Sequence, residues 1–372
     1  MDITEPSGYK DFVWAIEMHR LNFQTMGLWP EGDKLETSNV WLKLRISIIL
    51  SLIIFVIVIP MIRAVIQVWG NMLLVVDNLR VALPLTISII KYVIMLWKRT
   101  VLLSIINTIA EDWMAFKSNT ERAVMIKQAQ TARVIMVIGF VSTIIGCLGA
   151  IVPAFFGIQI ISVTNRTDQH KTLLFVTYDL YDTDKSPHFL GLLVLHICGQ
   201  LKNFRRRLVN MTSCKNYNKT LNDIVTAHLR MIRFADNIEN TYSLMMLIML
   251  LHFIIVFCLT GFCLILEMDE VITTKIYFSI TMLTILLINT FLYCGAGELL
   301  TEQCNAVYRA MCNLEWYKLE SRNARNLILL MLRARHPVCI TAGKIIPLTM
   351  ATYSSVLKTS SGYITFLLAK RG

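Results

Sequence analysis

Asp77, Arg80 and Lys91 are the ionisable side chains inside an otherwise apolar run over residues 71–96. An ionisable group carried into lipid is costly, so it marks a functional site or a place where the chain meets water. Asp77 and Arg80 stand three residues apart, the spacing at which two side chains meet on one helix face and can pair. Two readings stay open: an ion pair at the membrane interface, or part of a ligand pocket. Lys91 lies near the other end of the run, where its stem can carry the ammonium out to the headgroups. His196 and Gln200, four residues apart, share a helix face. Hydrogen bonding to a neighbouring helix and contact with a ligand account for them equally well. Glu267, Asp269 and Glu270 crowd into a short connection between two further apolar runs. They make either a cation-attracting vestibule or a solvated turn.

Other chemistries lack their residues. The chain has no Gly-rich phosphate loop, no His-Glu-x-x-His, no Gly-x-Ser-x-Gly and no carboxylates clustered within an apolar run, so it reads as a non-enzyme without a cofactor. The nine cysteines, odd in number and without paired zinc-type spacings, read as unpaired thiols rather than a disulfide framework or a metal site. Repeated halves with broken helices, the mark of a secondary transporter, are also missing. The net charge of +11 could suit nucleic acid, but Lys and Arg fall in blocks between apolar runs. That arrangement fits the cytoplasmic edge of a membrane protein and argues against a nucleic-acid partner.

The elements that must position these groups follow from composition. Of 372 residues, 55% are hydrophobic and 16% charged, against about 25% charged in soluble domains; mean hydropathy is +0.57. An all-α membrane protein is expected, with seven spans at 43–63, 71–96, 132–160, 188–209, 243–266, 275–297 and 345–369, each near the ~20 residues a bilayer requires. The fourth is the weakest, because it carries His196, Gln200, Lys202 and Arg205; its inner half is expected to project into the cytoplasm. Residues 1–42, with seven acidic and three basic side chains, read as a retained cytoplasmic segment rather than a signal peptide. With the N-terminus inside, the cytoplasmic segments hold 26 basic residues and the outer ones 7, so the positive-inside rule places the N-terminus in the cytoplasm and the C-terminus outside. The sequon at Asn165 falls in an outer loop as a glycosylation candidate, whereas those at Asn210 and Asn218 fall on the inner side. Residues 43–297 are thus a six-helix transmembrane region and 298–344 cytoplasmic helices, stopped by His336-Pro337. These helices suit subunit assembly or an amphipathic seat on lipid. The last span, in 345–372, restarts near Pro347, a suitable first-turn residue, so the final helix is split into a cytoplasmic and a membrane part.

The C-terminal third resembles the insect odorant receptor family. The residues that carry the likeness are Phe291-Leu292-Tyr293-Cys294, Gly297-Glu298-Leu299, Ala310, Trp316-Tyr317-Lys318-Leu319, Leu327 to Leu332, Thr341-Ala342-Gly343-Lys344, Pro347-Leu348, and Thr352 to Ser360 with Tyr363. Gly27-Leu28-Trp29-Pro30 near the start is similar too. The gustatory branch ends in Thr-Tyr, five residues, then Gln-Phe; here Thr359-Ser360 stands at that place. The stretch between the fourth and fifth spans is shorter than in the shared co-receptor, so the likeness is to a ligand-tuned subunit. The rival seven-helix class, G-protein-coupled receptors, needs the opposite polarity and the Asp-Arg-Tyr and Asn-Pro-x-x-Tyr elements, which are not here.

The resemblance implies a ligand-gated, non-selective cation channel, a heterotetramer with the co-receptor, in the plasma membrane of olfactory sensory neurons. Four copies of the last helix would line the pore, with Tyr363, Phe366 and Lys370 as pore residues. A ring of lysines would repel cations, so this chain is expected to need partner subunits. A small volatile odorant would bind in the outer half, among helices two, three, four and six. By span position the candidates are Asn78, Leu79, Ala82 and Leu83; Ile145, Gly146, Gly149 and Phe156; Phe189, Leu192 and Val194; and Tyr277, Ile280 and Thr281. Binding would be mostly apolar burial, with Tyr277 and Thr281, one turn apart, supplying polar contacts.

Overall fold

The computed structural model describes residues 7–25, 44, 46–51, 53–115, 118–155, 186–211, 217–269 and 273–371. They form an all-α fold, as the composition predicts: α1 (Ser7–Thr25), α2 (Ile59–Gln67, preceded by a π-helical stretch Ile53–Val58), α3 (Met72–Trp97), α4 (Arg99–Met114), α5 (Asn119–Phe155), α6 (Ser186–Met211), α7 (Tyr217–Asp269), α8 (Thr273–Cys312), α9 (Ser321–Ala334) and α10 (Met350–Arg371). Between α9 and α10 lies a small antiparallel hairpin, β1 (Thr341–Ala342) and β2 (Ile346–Pro347).

Local chemistry sets several boundaries. Gly70 at φ +110° makes the turn from α2 to α3, a conformation that costs glycine little, and the Asn71 side chain then caps α3 by accepting from Leu74 N. α5 opens on a reciprocal capping box: Glu121 N donates to Ser118 Oγ and Ser118 N to the Glu121 carboxylate, each at 3.3 Å. α10 is opened by Thr349, whose hydroxyl accepts from Thr352 N at 3.2 Å.

At 53 and 40 residues, α7 and α8 run to ~80 Å and ~60 Å at 1.5 Å per residue, far beyond a ~30 Å hydrocarbon core. They form an antiparallel hairpin whose tip, around Glu267 and Ser279, is one end of the molecule. At the other end α1, α4, the start of α5, α6, the first half of α7, the second half of α8 and α9 enclose one continuous core. Nearer the tip the buried core shrinks to Phe253, Val256 and Leu286, backed by Leu83 and Leu357. Here apolar side chains face outward instead, among them Ile90, Val137, Phe140, Leu251, Ile255 and Phe291. So wide an exposed apolar belt is what lipid contact requires.

Among the described residues four helices are long and apolar enough to cross a membrane: Met72–Trp97, Asn119–Ser142, Lys219–Asp269 and Thr273–Lys318. They carry the second, third, fifth and sixth expected spans. The expected fourth span is not among them. α6 is the central pillar of the large core: every residue from Phe189 to Cys198 but Gly191 is buried, by α1, α4, α5, α7 and α8. A helix apolar all round signals burial of either kind, and here protein rather than lipid provides it. The last helix is divided as expected, but its second part begins at Met350. Pro347 lies in the hairpin, because Gly343 and Lys344 take positive φ (66° and 61°) and turn the chain back.

Candidate ligand and pore sites

Near the hairpin tip one guanidinium ties three helices together. α3 sets Arg80 one turn after Asp77, and their side chains pair at 2.6 Å. Arg80 Nη2 reaches Glu267 Oε1 on α7 at 2.8 Å, and Nη1 donates to Ser279 Oγ on α8 at 2.6 Å. Ser279 Oγ donates in turn to Glu267 Oε2 at 2.6 Å, and the Phe278 ring lies 5.4 Å from the guanidinium carbon. Arg80 is 1% exposed and Glu267 7%. Buried charges survive only when paired and hydrogen-bonded, and this cluster meets that condition. Pro84, one turn on, has no N–H to offer the Arg80 carbonyl, which loosens α3 beside the cluster.

The pairing of Asp77 with Arg80 is the one the spacing predicts, but it is buried among three helices instead of lying at an interface. Glu267 departs further. Both loop readings of it, vestibule and solvated turn, fail, because α7 runs on to Asp269 and turns Glu267 inward. Only Arg80, lacking a local counter-charge beyond Asp77, hinted in sequence at a second distant carboxylate.

The residues predicted for a pocket do not converge. Asn78 and Ala82 are buried on α3, and Asn78 donates to the Leu74 carbonyl at 2.9 Å. Leu79 is half-buried, and Leu83 packs on the Phe253–Val256–Leu286 cluster. Tyr277, Ile280 and Ile145 are about half exposed, and the Thr281 hydroxyl is taken by the Tyr277 carbonyl at 2.8 Å. Gly146 and Gly149 lie on α5, while Phe156 and Asn165 fall outside the described residues. The α6 trio sits elsewhere: Phe189 is buried with its ring 4.8 Å from Phe23 and 5.6 Å from His19 of α1, and Leu192 faces Ile109, Trp113 and Met125. Val194 is buried in the same core. These three therefore stand at the end opposite Tyr277, because α6 begins deep in the core. His196 bonds Asp112 of α4 at 3.1 Å, the inter-helix alternative of the two predicted for it.

The hairpin between α9 and α10 is strapped to α7 and α8. The Glu239 carboxylate accepts from both Thr341 N, at 2.9 Å, and the Thr341 hydroxyl. Lys344 N donates to Ser243 Oγ at 2.8 Å, and Gly343 N to the Ser243 carbonyl at 2.9 Å. A Cβ on Gly297 would sit 2.2 Å from the Leu348 carbonyl oxygen, so only glycine lets the strap approach α8. Next to it, Glu298 accepts from Met350 N at 3.2 Å and supplies negative charge at the start of α10. α10 leaves Ser354, Ser355, Lys358, Ser361 and Thr365 exposed, together with Tyr363 and Phe366, at 53% and 64%; Lys370 is in its last turn.

Comparison with known proteins agrees with this arrangement. Residues 188–361 match the family model described as 7tm odorant receptor. Odorant receptor 13a of Drosophila melanogaster is 24% identical over 196 residues, 48% of this chain and 47% of that protein. Odorant receptor 22c of the same fly is 27% identical over 148 residues, 40% and 36%. The chain thus matches about half the length of these relatives or less. In fold it is similar to the insect olfactory receptor OR5 from Machilis hrabei, with a TM-score of 0.80 at 13% identity over 96% of this chain and 99% of that one. The same receptor in complex with eugenol gives 0.78 at 14%. The C-terminal part of the chain thus resembles insect odorant receptors in sequence, and the chain as a whole has the fold of an insect olfactory receptor.

Proposed function

We propose that this chain is the ligand-tuned odorant receptor subunit of a ligand-gated, non-selective cation channel, assembled as a heterotetramer with the co-receptor in the plasma membrane of olfactory sensory neurons. The N-terminus is cytoplasmic and the C-terminus outside, so the Glu267 tip faces out and the large core lies on the cytoplasmic side. The observation that carries the reading is the exposed face of α10. Ser354, Ser355, Lys358, Ser361 and Thr365 face away from the rest of the chain, on a helix whose neighbours α7 and α8 are long enough to span a membrane. Lipid is a poor solvent for such a face; water in a central pore, or a neighbouring subunit, is a good one. Tyr363, Phe366 and Lys370 then stand toward the outer mouth.

A small volatile odorant would bind in the outer half, against the α3 and α8 candidates. Binding opens the pore only if the odorant prefers the open state. The strap supplies the mechanical link, since it joins α10 to α7 and α8 through Glu239, Ser243 and Glu298.

Whole-cell recording tests the reading. Cells expressing this chain with the co-receptor should give odorant-evoked cation currents, and cells expressing it alone should not. Cysteine at Ser361 or Thr365 should make the current sensitive to thiol-reactive cations. Robust currents from the chain alone, or cysteines inert in both open and closed channels, would refute it.

A further inference from the structure

Lys358 stands on α10 among exposed hydroxyls. Ser354, Lys358, Ser361 and Thr365 follow at steps of four, three and four residues and are all exposed, so they form one stripe along the helix. The three hydroxyl protons are given to the helix itself. Ser354 Oγ donates to the Met350 carbonyl at 3.1 Å, Ser361 Oγ to that of Leu357 at 2.9 Å, and Thr365 Oγ1 to that of Gly362 at 2.8 Å. Their oxygens are left as acceptors, which suits a passing cation. Lys358 interrupts this surface with an ammonium that has no ion pair or hydrogen bond among the described residues. No carboxylate lies on α10, and Glu298 is held back at its start, on Met350 N.

The depth of Lys358 decides what its charge must meet. The adjacent Leu357 packs against Phe253, Val256 and Leu286, as Leu83 does. Phe253, Leu286 and Leu83 lie near the middle of the apolar runs 243–266, 275–297 and 71–96, with about 15 Å of hydrocarbon on either side. That is farther than a four-carbon stem can carry its ammonium. A charge at such depth is too costly to leave in lipid and needs water or a counter-charge. We propose that Lys358 sets the valence selectivity of the pore: a fixed positive charge in the ion path that passes monovalent cations and holds back divalent ones. The inference rests on the pore reading of α10 and adds the selectivity which that reading leaves open. Coulomb repulsion scales with the charge of the ion. At about 6 Å in a water-like dielectric, one ammonium disfavours a monovalent cation about threefold and a divalent one about tenfold.

The test expresses the full chain with the co-receptor and compares reversal potentials of the odorant-evoked current in sodium and calcium solutions. Lys358→Gln should raise the calcium-to-sodium permeability ratio about threefold, and Lys358→Arg should keep the parent ratio. Lys358→Cys should behave as Lys358→Gln does, then return to the parent ratio after reaction with a cationic thiol reagent. An unchanged ratio in Lys358→Gln, with current intact, would put the ammonium off the ion path and overturn the proposal. So would surface expression lost in Lys358→Gln and Lys358→Met but kept in Lys358→Arg, since the charge would then be paired with a neighbouring subunit. A parent chain that gives no odorant-evoked current with the co-receptor would refute the pore reading and this inference with it. A parent that conducts, with a ratio indifferent to Lys358, would refute this inference alone.

Discussion

Arg80→Met is the most informative single change near the tip of the α7–α8 hairpin. It removes the only guanidinium in the cluster while keeping a side chain of similar length, and it leaves Asp77 and Glu267 buried without their shared partner. Breaking a buried ion pair on one side costs about 3–5 kcal/mol, because the orphaned charge keeps its desolvation penalty. The hydrogen bond between Ser279 and Glu267 softens this, since one carboxylate retains a donor. At roughly 2–4 °C per kcal/mol for a domain of about 150–250 residues, the apparent Tm in nanodiscs should fall by about 6 °C or more. The control is Arg80→Met combined with Asp77→Leu and Glu267→Leu, which removes every charge at once. Replacing a whole buried ionic cluster by apolar groups is often neutral or stabilising, so the triple variant should recover most of the loss. A single variant that melts like the parent would show that the carboxylates are not buried as charges. A triple variant worse than the single would show that the cluster stabilises the helices outright. Either result would refute the reasoning.

Two further expectations concern the opposite half of the molecule. Gly297→Ala should lower apparent Tm and surface expression, because its Cβ would press on backbone of Leu348 and overpacking of this kind costs about 1–3 kcal/mol; an unchanged Tm would mean that the strap does not seat against α8. His228 lies fifteen residues before the expected fifth span, stacked on Phe204 at 5.5 Å. Burial, with Arg333 nearby, lowers its pKa from 6.5 to about 4. The unfolded chain therefore takes up the proton first, so stability should be full above about pH 6.5 and decline as pH falls toward about 4. His228→Leu should flatten that decline in a Tm-against-pH series, and an identical slope in both proteins would place the acid sensitivity elsewhere.

The sequence is legible where structure is set locally. The Ser118–Glu121 capping box, the Asp77–Arg80 spacing and the split of the last helix all follow from residues a turn or two apart. It is misleading where only the surroundings decide. Phe189 to Cys198 has the hydropathy of a membrane segment, yet protein surrounds it; His196, Asn203 and the Arg205–Arg207 run were the signal that its neighbours are polar. Reading it as a membrane span groups Phe189, Leu192 and Val194 with Tyr277 and Ile280, which the fold sets apart from them. Glu267 was misplaced for a related reason: nothing in a short acidic stretch says that α7 continues through it toward an arginine far off in sequence. The strap is the extreme case. Glu239 and Thr341 meet 102 residues apart, so the Thr341-to-Lys344 motif could be matched to a family but not explained.

The strap also ties the fold to the proposed gating. Its bonds run from α7 and α8 to backbone N–H groups of Thr341, Gly343, Lys344 and Met350, and these do not depend on which side chains the strap carries. α10 is therefore fixed at its start whatever the odorant, and farther along it packs on α7 through Val356 and Leu357, the buried Ser360 beside Cys258, and Ile364 against Gly261. A helix pinned at one end moves most easily by tilting about the pin. Odorant energy delivered to α3 and α8 near the tip would reach α10 through α7, and the Arg80 cluster couples those two helices to α7 there. Weakening the cluster should then change the odorant concentration needed to open the channel, and weakening the strap should uncouple binding from opening.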